Sequence, residues 1–140
     1  MKTPPKHILL IDDDPGIREA FRLMLSIDGH AVTEAKNSIE GLTLFAGGRF
    51  DLVMTDFSMP GMNGRELAVK LKQLAPSQPI LMITGYAKEL TVSPNPVDVI
   101  LPKPFSLSEL RQVLAQLLSM PLQGVSQSNR LTTEVKHQLF

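Results

Sequence analysis

The chain has 140 residues, 43% of them hydrophobic and 20% charged, the profile of a single globular domain that can bury its own core. Lysine plus arginine and aspartate plus glutamate each number 14, so the formal net charge is zero and no bulk charge draws the chain to nucleic acid or an anionic membrane. Cysteine is absent, which excludes disulfide frameworks, thiolate zinc sites and cysteine nucleophiles. The apolar run Ile8–Ile11 is too short for a signal peptide or a membrane span, so a cytoplasmic protein is expected by elimination.

Ile8–Ile11 is an unbroken apolar run ending in acid, the pattern of a strand buried on both faces. Asp14-Pro15 then predicts a helix, with aspartate as N-cap and proline at the first position. Ile17, Ala20, Phe21, Met24 and Leu25 follow at helical spacing, and Gly29 stops it. His30–Glu34 reads as a second strand. Ser38 opens a second helix that carries Ile39, Leu42, Phe45 and Ala46 inward and closes at Gly47-Gly48. Asp51–Asp56 is the third strand, followed by a loop, Phe57–Gly64, punctuated by Pro60, Gly61 and Gly64. A third helix presents Leu67, Leu71 and Leu74 before Pro76, and Ile80–Ile83 is the fourth strand.

Between Thr84 and Lys103 the alternation calls for a fourth helix, but Ser93-Pro94-Asn95-Pro96 removes donors and opposes helical backbone. A shortened or irregular fourth helix of one or two turns is expected there. Val97–Leu101 is the fifth strand. The last helix begins with a capping box, Ser106 with Glu109, and continues through Leu107, Leu110, Leu114 and Leu117; leucines exposed on its far side could serve a homodimer. Alternating strands and helices with short connections specify an α/β fold, a five-stranded parallel sheet covered on both faces. Residues 1–120 form one domain. Residues 121–140 read as a polar, turn-prone tail with a short helix at Leu131–Leu139, too short for a separate effector domain.

In open parallel sheets ligands bind at the carboxyl ends of the strands. Those ends carry Asp12-Asp13-Asp14, Asp56, Thr84 and Lys103. Clustered carboxylates repel, so one takes a proton or a cation binds among them. Oxygen-only ligands select a hard ion such as Mg2+, and a neighbouring lysine suits a phosphate oxygen. Such an ensemble fits phosphoryl transfer. Each residue alone has a blander reading: Asp14 as a helix cap, Thr84 as a turn residue, Lys103 as a solvated charge. Their convergence on one end of one sheet favours the site. His7, His30 and His137 lack metal spacing and read as surface or strand-end residues, and Met54, Met59, Met62 and Met82 as packing.

With Ile8–Asp13 and Asp14-Pro15, Asp51–Asp56, Met59-Pro60-Gly61-Met62-Asn63-Gly64, Thr84-Gly85-Tyr86 and Lys103-Pro104-Phe105 in this order between Lys6 and Ser119, the chain resembles the receiver domains of two-component response regulators. The resemblance implies a doubly wound, flavodoxin-like fold and a phosphoacceptor domain over residues 1–120. Asp56 would take a phosphoryl group from a phosphohistidine on a sensor histidine kinase or phosphotransfer protein. Asp13, Asp56 and the backbone carbonyl of Ser58 would hold Mg2+, with Asp12 assisting. Lys103 and Thr84 would bind phosphoryl oxygens, and the Lys103–Pro104 bond would be cis. The output would be a protein–protein interaction, without nucleic acid or membrane and without turnover beyond the domain's own phosphorylation and dephosphorylation.

Two positions depart from the family pattern. Ile100 stands where a switching aromatic is usual, and the segment between Thr84 and Lys103 is short and rich in proline. Both imply signalling through a rearranged face or through the first helix. The main enzymatic rival, a magnesium-dependent phosphatase of the haloacid dehalogenase type, would read Asp12-x-Asp14 as its first motif. It also needs an acidic pair after the lysine, where only Glu109 and Glu134 occur, and Glu109 belongs to a cap.

Overall fold

A computed structural model describes residues 4–85 and 96–118. Five strands alternate with helices: β1 (His7–Ile11), α1 (Pro15–Ile27), β2 (Ala31–Ala35), α2 (Ser38–Gly47), β3 (Leu52–Asp56), α3 (Gly64–Leu74), β4 (Ile80–Thr84), β5 (Val99–Pro102) and α4 (Leu107–Leu118). All pairings are parallel, in the order β2-β1-β3-β4-β5, so the expected α/β sheet is the one observed. The fourth helix expected between Thr84 and Lys103, the tail and the helix at Leu131–Leu139 lie outside the described residues.

Alternate residues of each strand feed two cores. Ile8, Leu10, Leu52, Met54, Leu81, Ile83, Val99 and Leu101 pack with Phe21 and Leu25 of α1 and with Leu110, Val113, Leu114 and Leu117 of α4. On the other face Leu9, Ile11, Val53, Ile80, Met82 and Ile100 meet Leu67, Ala68 and Leu71 of α3 and, from α2, the half-buried Leu42, Leu44 and Phe45. Cover on both faces is why the strands read as unbroken apolar runs.

The helix ends follow their residues. Asp14 caps α1, its side chain accepting from Gly16 N (2.8 Å) and Ile17 N (3.3 Å). Gly29 reverses the chain at φ +83°, a conformation open to glycine. Ser106 and Glu109 form the expected capping box of α4 (2.8 and 3.0 Å).

Several inward assignments are corrected. Ala20 and Ala46 are exposed, and Ile39 and Leu74 are 65% and 63% exposed. Ser38 opens α2 as expected and is buried there, while Asn37 before it supplies the cap, its side chain accepting from Glu40 N (2.8 Å). Gly64 opens α3 rather than ending the loop. His30 sits at the strand end just before β2, one of the two places expected for it, and is buried there, its Nδ1 accepting from the backbone N–H of Lys6 (3.0 Å). The leucines of α4 are buried or half-buried, which leaves no exposed leucine stripe on that helix.

Candidate functional site at the strand ends

The strand order turns at β1: the chain runs first to β2 on one side and then to β3 on the other. Such a reversal opens a crevice above the carboxyl ends of the central strands. Register brings the ends level. Ile11 pairs with Thr55, Asp56 with Ile83 and Thr84 with Pro102, and Lys103 N donates to Thr84 O (2.9 Å). The residues that follow or close β1, β3, β4 and β5 therefore share one rim.

Asp12, Asp13 and Asp56 each bring a carboxylate oxygen to within 4.8 Å of the others. Lys103 Nζ lies 3.4 Å from Asp56 Oδ1, and Thr84 is buried at the end of β4. The Lys103–Pro104 peptide is cis, as the resemblance implies. Asp12 is 3% exposed, and its Oδ1 accepts from Asp14 N (2.9 Å). Burial chiefly, with the charges of Asp56 and Asp13, pushes the Asp12 carboxyl up to about 6, against the opposing pull of the Asp14 amide and Lys103. Burial likewise raises Asp56, with Asp13 adding to it, while Lys103 and the Phe57 amide pull it down.

Three carboxylates face one ammonium, a site charge of −3 + 1 = −2 when all are ionised. An all-oxygen donor set with that deficit fits a hard divalent cation. The expected Asp12, Asp13, Asp56, Thr84 and Lys103 are thus brought together. Ser58 is exposed in the loop after β3. Ile100 is fully buried in the core on the α3 face, paired with Met82. Glu109, which a phosphatase reading would need at the metal, is bonded to Ser106 instead.

Three residues have supporting roles that the sequence reading did not assign. Gly64 lies so close to the end of β3 that a Cβ there would overlap Asp56 O and sit 2.9 Å from Phe57 Cα; its place in the Met59–Gly64 segment was the available signal. Ser38 Oγ donates to Met62 O (2.9 Å), tying α2 to the β3–α3 loop. Arg18 Nη1 donates to the backbone carbonyl of Asp12 (2.7 Å).

A sequence model of the response regulator receiver domain matches residues 8–115. The chain belongs to this family. Response regulator MprA of Mycobacterium sp. (strain KMS) is 36% identical over 117 residues, covering 81% of this chain and 51% of that protein. The transcriptional regulatory protein GlrR of Escherichia coli (strain K12) is 34% identical over 86 residues, 61% of this chain and 19% of that one. This receiver chain therefore spans about half, or less, of the length of the curated relatives it matches. Among solved structures, response regulator TrrA of Thermotoga maritima in complex with Mg2+-BeF is similar with a TM-score of 0.76 and 32% identity, covering 84% of this chain and all of that one. TrrA bound to histidine kinase ThkA matches with a TM-score of 0.71 and 31% identity over 85% of this chain and 100% of that one. Among the described residues of this receiver, no helix is long and apolar enough to cross a membrane.

Proposed function

We propose that Asp56 is the phosphoacceptor of this receiver and that its donor is a phosphohistidine on a sensor histidine kinase or phosphotransfer protein. The observation that carries this is the convergence of three carboxylates, with the Lys103 ammonium 3.4 Å from one of them. A carboxylate oxygen of Asp56 attacks phosphorus, the P–N bond breaks, and the histidine nitrogen keeps the bonding electron pair. Lys103 stabilises charge on the transferred group, and Thr84 donates to another of its oxygens. Asp12, Asp13, Asp56 and the Ser58 carbonyl are the residues to hold Mg2+, which supplies charge neutralisation between carboxylate and phosphoryl oxygens. The complex of TrrA with Mg2+-BeF and its complex with ThkA support the same assignment of ion and partner.

The output is a protein–protein contact in the cytoplasm, with no steady turnover of phosphomonoesters. Ile100, buried and aliphatic, replaces a movable aromatic, while Leu23 and Ile27 stand exposed on α1. Both favour signalling through a rearranged face or through the first helix. Acetyl phosphate with Mg2+, read by intact mass, is expected to add one phosphoryl group to the wild type and none to Asp56→Asn or to protein in EDTA. An unmodified wild type, or an equally modified Asp56→Asn, would refute the assignment.

A further inference from the structure

We propose that Arg18 is a positioning residue of the acidic site, holding the end of β1 in the geometry that admits the cation. The inference rests on the proposed reading of that site. Arg18 lies in the first turns of α1, close to the helix N-terminus, where a positive charge opposes the helix dipole. Helix stability therefore does not account for a cation here, and its partners do. Nη1 donates to the Asp12 backbone carbonyl at 2.7 Å, and Nε donates to Glu34 Oε1 on β2 at 3.2 Å. Arg18 is also the most buried cation among the described ion pairs, its side chain 17% exposed.

The guanidinium fork makes the geometry specific. Two donors fixed in one plane are spent on the residue after β1 and on β2, so the Asp12 carbonyl is located relative to β2 as well as to α1. Glu34 is itself held on its far oxygen by Arg22 Nε, at 3.5 Å. The Arg18 backbone N–H meanwhile closes the first turn on Asp14 O (3.0 Å). One residue thus grips the chain on both sides of Asp13. Its contacts run to the Asp12 backbone carbonyl and to Glu34, so it acts through placement of the chain. A lysine, with a point charge and no fork, does not reproduce it.

The test compares Mg2+ binding by calorimetry with urea unfolding on the same samples of wild type, Arg18→Ala, Arg18→Lys and Arg111→Ala. Arg111 is the control, since it makes a two-pronged pair with Asp28 (2.8 and 3.0 Å) between α4 and the end of α1. Both Arg18 variants are expected to weaken Mg2+ binding about tenfold, the usual scale for losing an outer-shell partner, while Arg111→Ala loses stability and keeps wild-type affinity. If Arg18→Ala does not fold, Arg18→Lys decides. Wild-type affinity in the Arg18 variants, or an equal loss in Arg111→Ala, would overturn the proposal. A wild type that binds no Mg2+ would overturn the reading of the site itself, and this proposal with it.

Discussion

Asp12 is buried between two other carboxylates, with one backbone amide and one lysine to offset its charge. Its folded-state value of about 6 lies above the ordinary 3.8. Between the two the folded state holds a proton that the unfolded chain releases. The ionised carboxyl therefore opposes folding fully above about pH 6, and the penalty fades as the pH falls toward 3.8. Asp12→Asn, which keeps an oxygen to accept from Asp14 N, is expected to stabilise metal-free protein at neutral pH by about 1–3 kcal/mol. Urea unfolding in EDTA measures this, and the gain should vanish near pH 4 and shrink in Mg2+. A loss of stability at neutral pH in EDTA would contradict the assigned repulsion. The sequence shows such residues because acids directly after apolar runs have one place to go in a parallel sheet. Arg18 was not legible in the same way: its two partners, Asp12 O and Glu34, meet only when α1 packs beside β2.

At the scale of elements, the junction of β3 and α3 has the closest approach at any described glycine. The backbone of Gly64 lies against Asp56 and Phe57, and its N–H donates to Phe57 O (2.8 Å). Gly64→Ala forces backbone rather than a flexible side chain to move, with an expected cost of about 1–3 kcal/mol. Because the displaced segment carries the acceptor, phosphorylation by acetyl phosphate should slow even at temperatures where the variant is fully folded. Wild-type rates in folded Gly64→Ala would show that the close approach has no bearing on the site. Strands were easier to read than the faces of helices. Continuous apolar runs such as Ile80–Ile83 state their own burial, whereas α2 is apolar on several sides and its phase is set by contact with β1 and β2. Ile39 and Leu74 fit a helical count yet sit beyond the reach of the sheet, so spacing alone turned them the wrong way.

At the scale of the whole molecule, two apolar layers fix the sheet from both sides, and among the described residues its carboxyl rim is where three carboxylates are pressed together. A ligand that binds only the folded rim raises global stability by mass action, about 2.7 kcal/mol at a hundredfold excess over its Kd. Mg2+ should therefore raise the unfolding midpoint of the wild type, EDTA should reverse the rise, and Asp13→Asn should abolish it; an unmoved wild-type midpoint would argue against a cation at the rim. The five-stranded parallel sheet was legible because alternation and strand-end chemistry agree, whereas the region between Thr84 and Lys103 carries too many prolines for periodicity to speak. The most direct measurement is chemical trapping of the acceptor. After treatment with acetyl phosphate and Mg2+, borohydride reduces an aspartyl phosphate to homoserine, and peptide sequencing finds its position. Homoserine at position 56 alone is expected. Homoserine at 12 or 13, or at no position, would contradict the assignment of Asp56.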